Sequence, residues 1–247
     1  MAFFPRTEGW SQLRDQEYSM RVAGNDTTSI KRLINQANEL IMDYPDSGVA
    51  IYRETLRMSM ESAYLKGVAR SSYGLGVYHS LREEYDQCIN YYTQTMKYAR
   101  PEHSLRRIVT SSLFNIGEAF YRKGNYGLSA YYFYQVLGRT SQLQDTASKK
   151  NVLKSCNRLA AIWENLKVPE HALYYANMQE SLAKRGKDTL AWATALSTKG
   201  TLYCNKEEYE QALQYYANAL KFEKSLGGRS NISNQQVIIN NIANIHI

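Results

Sequence analysis

The residues of this chain that could do chemistry do not gather. Four histidines, His79, His103, His171 and His246, lie far apart in the sequence. Gly74-Leu75-Gly76 begins like a phosphate-binding loop, but it lacks the third glycine and sits inside a helical pattern. Glu83-Glu84 and Glu207-Glu208 each stand just before a helix, where a carboxylate favours the helix N-terminus and has no partner for acid–base catalysis. Three cysteines, Cys88, Cys156 and Cys204, are an odd set scattered along the chain, which fits free thiols and no metal site. Without a converging nucleophile, base or metal-ligand set, neither an enzyme nor a cofactor is expected, and recognition is the chemistry left. Residues 139–158 hold Arg139, Lys149, Lys150, Lys154 and Arg158 against one acid, Asp145, a bias that attracts an acidic partner. Nucleic acid is not the expected target, because no basic helix or aromatic-basic sheet motif accompanies the cluster. Elsewhere the charges, 30 basic against 23 acidic for a net +7, are interspersed as on a solvated surface.

The elements that must position these residues are helices. In residues 113–137, Leu113, Ile116, Gly117 and Phe120 recur three or four apart, Gly124-Asn125 breaks the pattern, and Ser129, Phe133, Val136 and Leu137 resume it. Two such stripes joined by a short turn make an αα-hairpin, with Gly117 where the second helix comes close. The pattern recurs. The small residue falls at Gly76, Gly117, Ala160, Gly200 and Ala243, with intervals of 41, 43, 40 and 43 residues, and Ala37 holds the matching place 39 before Gly76. His79 and His246 take the position of Phe120 and Tyr203 in other copies, so packing histidines are expected there. The 21 tyrosines concentrate in the pairs Tyr91-Tyr92, Tyr131-Tyr132, Tyr174-Tyr175 and Tyr215-Tyr216, which are read as rings filling gaps between helices.

These motifs resemble the tetratricopeptide repeat (TPR), whose pattern is W-x2-L-G-x2-Y, then A-x3-F, then P. The likeness covers about residues 28–247 and is to the long-repeat form, about seven residues beyond the common 34, which adds about 10 Å of helix. It implies an all-α, right-handed solenoid and a non-catalytic domain that binds a peptide or protein segment. Long units of this kind occur in sensor regions of bacterial signalling proteins, whether transcription regulators or histidine kinases. The alternative is a co-chaperone or assembly scaffold that holds a client tail. In the family, one face of each first helix lines a concave groove. Here that face carries Tyr73 in the second repeat, Phe114, Asn115, Glu118, Tyr121 and Arg122 in the third, and Lys154, Asn157 and Arg158 in the fourth. Asn115, Lys154 and Arg158 fall on three of the five places with which co-chaperone members grip a terminal carboxylate. The other two places, Lys and Asn in those members, are Tyr73 and Val77 here. Glu118 and Glu164 stand where they would pair with the same cations.

Taken in order, residues 1–27 carry no clear period, and Trp10, Leu13 and Met20 leave a short capping helix and disorder as equal readings. Helices are expected at 28–42, 47–60, 63–82, 85–99, 103–123, 126–139, 147–166, 169–185, 188–206 and 208–225, five pairs, with Gly227-Gly228 as terminator. A sixth pair opens near Ser233. The apolar Ile238, Ile239, Ile242 and Ile245 then need a cover, which suggests a fragment of a longer protein and invites self-association into a homo-oligomer. No apolar run approaches membrane-span length, and the start is too short for a secretory signal. The compartment stays open between cytoplasm and, had a signal been removed, periplasm.

Overall fold

The computed structural model describes residues 27–100, 103–140, 145–225 and 232–245. Among these residues every regular element is helical: α1 Thr27–Leu40, α2 Pro45–Glu61, α3 Leu65–Leu81, α4 Tyr85–Ala99, a 3-10 turn His103–Leu105, α5 Arg106–Arg122, α6 Tyr126–Leu137, α7 Thr146–Asn165, α8 Pro169–Gly186, α9 Thr189–Cys204, α10 Tyr209–Ser225 and α11 Ile232–Ile245. The bounds follow the expected hairpins closely. The capping helix sought at 1–27, the Gly227-Gly228 terminator and His246 lie outside the described residues.

The chain divides into two compact units, one up to Ser112 and one from Leu113, with the division inside α5. In the first, α1 packs on α2 and α3, and α3 on both α2 and α4. Its core gathers Ile30, Leu33, Ile34, Val49, Ile51, Tyr52 and Leu75. In the second, α6 through α11 pack each on the next, and α9 also meets α7 and α11, so that the leading helices of successive hairpins are neighbours.

One joint recurs in three of the five hairpins. A Cβ placed on Gly76 would stand 2.6 Å from the Tyr92 ring, on Gly117 2.7 Å from Phe133, and on Gly200 2.7 Å from Tyr216. No carbon fits there, so glycine lets the aromatic ring lie directly on the facing helix backbone. In the α7–α8 hairpin the equivalent places hold Ala160 and Ala176, both fully buried, with Leu202 of α9 in the same cluster. At Gly117 the approach also carries a hydrogen bond, from Ser129 Oγ to the Gly117 carbonyl at 2.9 Å.

A second joint stacks rings across the same three hairpins: His79 on Tyr91, Phe120 on Tyr132 and Tyr203 on Tyr215, with interplanar angles of 11°, 16° and 10°. His79 is therefore a packing residue as expected, with Nδ1 2.5 Å from Glu84 Oε2. The tyrosine pairs obey the packing reading where the second ring is Tyr92 or Tyr216, each buried. Tyr131 and Tyr174 do not obey it and stand 54% and 62% exposed.

Turn chemistry departs from expectation. Among the described residues the one with positive φ is glycine only at Gly124; Ala63, Glu83, Lys167, Lys187 and Glu207 adopt the same left-handed conformation with φ between 52° and 63°. Glu84 does not cap α4 through its side chain. Its carboxylate goes to His79 and Arg82, whose hydrogen bonds hold it below the usual carboxylate range. Asp145 does cap α7, accepting from Ser148 N at 2.8 Å. On α11, Ile238 is buried rather than exposed, Ile242 and Ile245 lean on the same cluster as Tyr216, and Ile239 and Val237 remain open to solvent. Ala243 is exposed, with no facing helix among the described residues.

The glycine joint predicts that Gly117→Leu destabilises the fold by about 1–3 kcal/mol through overpacking against Phe133. Thermal unfolding measures it, and an unchanged melting temperature would show that the α5–α6 approach tolerates a side chain.

Candidate functional site

Within the unit from Leu113 onward, an open groove of about 610 Å³ runs along α7. Lys150, Leu153, Lys154, Asn157 and Arg158 line it from α7, three and four residues apart as one helical face requires. Phe114 and Glu118 of α5 line one side. Asp188, Leu190, Ala191 and Thr194 line the other, at the start of α9, and Gln179 of α8 lies among them.

Polar contacts tie α5 to α7 and α7 to α9 at the repeat interval. Arg158 Nε and Nη2 donate to the two Glu118 oxygens at 2.5 and 2.9 Å, forty residues away. Asn157 Nδ2 donates to Thr198 Oγ1 at 3.1 Å, and Asn205 Nδ2 to Glu164 Oε1 at 2.7 Å, each forty-one residues away. The Arg158 guanidinium also lies 5.1 Å from the Tyr121 ring centre. Burial pulls the Arg158 pKa down, but the Glu118 hydrogen bonds outweigh it and leave the pKa raised, so this cation is permanently charged and paired. A bidentate pair occupies the fork that a ligand carboxylate would need. Lys154 is different. It is exposed, its Nζ is 5.9 Å from the Phe114 ring centre, and among the described residues no carboxylate lies within ion-pair distance of it.

Of the expected face, then, Phe114, Glu118, Lys154, Asn157 and Arg158 come together around the groove. Tyr121 contacts Arg158 and the Tyr126 ring beyond the groove lining. Asn115 is half-buried and Arg122 exposed, and neither lines the groove. Tyr73 belongs to the first unit, where its ring centre is 5.5 Å from that of Tyr92. Glu164 pairs with Asn205, not with a groove cation. Gln179 was not anticipated. Its signal was present, because Ala172, Ala176, Gln179 and Ala183 form one buried stripe in which a single amide interrupts the alanines.

The α9 side of the groove is held by Glu180. It accepts from Trp192 Nε1 at 3.3 Å, Lys184 Nζ at 2.7 Å and Lys199 Nζ at 2.9 Å. Lys199 is almost fully buried, with Nζ 4.5 Å from the Tyr215 ring centre. Burial by itself raises the Glu180 pKa, but the two ammonium groups more than offset it and leave it lowered. No other titrating chemistry assembles. Burial pushes the Cys88 thiol up to about 11 and Cys156 up to about 12, so both are inert at neutral pH. Among the described residues no group of His, Cys, Asp and Glu is placed to hold a metal ion, and no helix is long and apolar enough to cross a membrane.

No protein-family model matches the chain, and no curated protein is recognisably similar in sequence. Solved structures do match. BtubC (BKLC) from P. vanneervenii superposes with a TM-score of 0.62 at 15% identity, over 89% of this chain and 81% of that one. The apo form of RapI gives 0.63 at 13% identity, over 88% and 83%. YrrB, a TPR protein with an unusual peptide-binding site, gives 0.55 at 17% identity, over 83% and 91%. The chain thus has the fold of a TPR-type repeat protein, an all-α solenoid of helix-turn-helix units.

Because the lowered Glu180 pKa stabilises the fold above the ordinary carboxylate pKa, that contribution is lost as pH falls through the depressed folded value. Glu180→Ala strands the buried Lys199 and is expected to cost about 3 kcal/mol at pH 7. Urea unfolding from pH 7 down to 3 checks both, with the variant's deficit shrinking at the acid end.

Proposed function

We propose that this chain is a non-catalytic recognition domain whose groove along α7 binds a peptide segment with acidic character. The observation that carries the reading is Lys154, an unpaired cation beside the apolar Phe114 and Leu153, with Lys150 one turn earlier on the same face. Phe114 and Leu190 offer walls for apolar side chains, and the ammonium groups draw in acidic ones. The likeness in fold to YrrB, a TPR protein with a peptide-binding site, agrees with this use of the surface.

The terminal-carboxylate grip of co-chaperones is the weaker version of the same idea. Arg158 is already spent on Glu118, and Asn115 does not line the groove. A groove that reads side chains along a segment suits a sensor better than a tail clamp. We accordingly propose that the domain is the sensing or regulatory part of a bacterial signalling protein.

The test is a fluorescence-polarisation titration with a library of acidic heptapeptides. Lys150 and Lys154 are both exposed, so each is worth about 0.2–1 kcal/mol. Lys150→Ala/Lys154→Ala together should weaken binding roughly two- to thirtyfold, with a matching loss of salt dependence. Equal affinity of both proteins for acidic and neutral peptides would remove the acidic preference, and no binding at all would remove the groove.

A further inference from the structure

The second helices of the third and fourth hairpins carry tyrosine where packing does not ask for it. Tyr131 of α6 and Tyr174 of α8 occupy the same place in successive repeats. Asn90 and Gln214 hold that place in the repeats on either side, at the same intervals of 41, 43 and 40 residues as the small positions. All four are exposed. Three residues earlier the contrast repeats, with Gln87 and Gln211 against Leu128 and His171, again all exposed. Amides suit a surface that meets only water, so the large rings of α6 and α8 call for another explanation. Leu128, Tyr131, Tyr134 and Tyr174 stand 44%, 54%, 37% and 62% open. No Asp, Glu, Lys or Arg falls within residues 126–137 or 171–179, on a chain whose net charge is +7.

The rings are joined and held. Tyr131 meets Tyr132 edge-on at 86°, and Tyr174 meets Tyr175 edge-on at 88°. Tyr134 links the two helices, with its ring centre 6.0 Å from that of Tyr175 and its hydroxyl accepting from Trp163 Nε1 at 3.1 Å. The Tyr131 and Tyr174 hydroxyls have no hydrogen-bond partner among the described residues. Aromatic and free of charge, this face has the composition of an interface core. Its area decides the occupant. With about 200 Å² on each large side chain, the four exposures leave roughly 400 Å² open. A stable dimer covers about 800 Å² on each partner, twice what the patch offers to a second copy. A short segment needs less. The lack of charge disfavours a partner held by ion pairs, and an uncharged apolar segment remains. A polyproline II strand meets the requirement, because its pyrrolidine rings pack on aromatic faces and its carbonyls, unused within the strand, accept from phenol hydroxyls. It is already extended, so a small surface has little ordering to offset.

We propose that the outer face of α6 and α8 is a second binding surface, which takes an uncharged, proline-rich segment of a partner protein in the polyproline II conformation. It is separate from the groove along α7 and does not depend on that reading.

The experiment titrates fluorescein-labelled proline-rich decapeptides, decaproline among them, against the full chain, with polarisation as the readout. Tyr131→Gln/Tyr174→Gln gives α6 and α8 the side-chain type of the neighbouring repeats at exposed positions and is expected to melt as wild type does. Its binding should be about tenfold weaker or more. The single variants replace the pair should it not fold, each with a loss of about threefold. Wild-type affinity should hold between about 50 and 500 mM salt, and Lys150→Ala/Lys154→Ala should bind as wild type does. If no proline-rich decapeptide binds, or if the tyrosine variant binds as wild type does, the proposal falls and the acidic-peptide reading is untouched. A wild-type chain that sediments as a dimer while the tyrosine variant sediments as a monomer would give the face to a second copy. Binding of cellohexaose in place of the peptides would give it to a stacked sugar. Either result overturns the proposal.

Discussion

The fold depends on the close approach of the two helices within three of its hairpins. Where Gly76, Gly117 and Gly200 face Tyr92, Phe133 and Tyr216, an aromatic ring lies on bare backbone with no room for a methyl group. The ring supplies the buried area and the glycine supplies the approach, so neither can change alone. Where the ring is absent, at Ala176, its partner Ala160 has regained a methyl. At that joint two methyl groups replace a ring on bare backbone, and Leu202 packs beside them. Everything else depends on that spacing. The stacked pairs, such as Tyr203 on Tyr215, meet only because the backbones have already been brought together.

A second constraint follows from repetition itself. Copies set forty or so residues apart place equivalent side chains of neighbouring leading helices next to each other. Arg158 reaches Glu118, Asn157 reaches Thr198 and Asn205 reaches Glu164, each across one repeat. The same register that aligns a row of polar groups for a ligand also lets those groups satisfy one another. Glu118 settles the competition at Arg158, since a bidentate partner fixed by the fold is present at all times and a ligand is not. Lys154 escapes because its neighbour across the repeat is the Phe114 ring, which attracts a cation without neutralising it.

Helix positions and the small-residue register were legible in the sequence because they rest on period and side-chain size, and both are written locally. The turns were less so. Only Gly124 marked a left-handed residue by its type. Glu83, Lys167 and Glu207 take the same conformation under tertiary pressure, at a local cost of roughly 1–2 kcal/mol each. The face of the site was legible at Phe114, Lys154, Asn157 and Arg158, since spacing alone places them together. Which of them are already paired was not, because Glu118 and Glu164 occupy similar registers and only three-dimensional reach decides that one finds an arginine and the other an asparagine. Ile238 was misjudged for the same reason. Its neighbour cluster comes from α9 and α10, and burial on that side cannot be read from the α11 pattern alone.

Gln179 and Glu180 are adjacent in sequence and make opposite uses of a polar atom under cover. Glu180 is over-supplied, with an indole and two ammonium groups converging on one carboxylate, and so fastens α8 to α9. Gln179 is under-supplied, with one amide hydrogen engaged and its oxygen unmatched. A helix turns 100° between consecutive residues, so the two side chains leave α8 in different directions. One meets the packed contact with Trp192 and Lys199, and the other meets the groove. The rigid contact makes the unsatisfied one tolerable, because a wall fastened by Glu180 cannot easily relax to bring Gln179 a partner from within the protein.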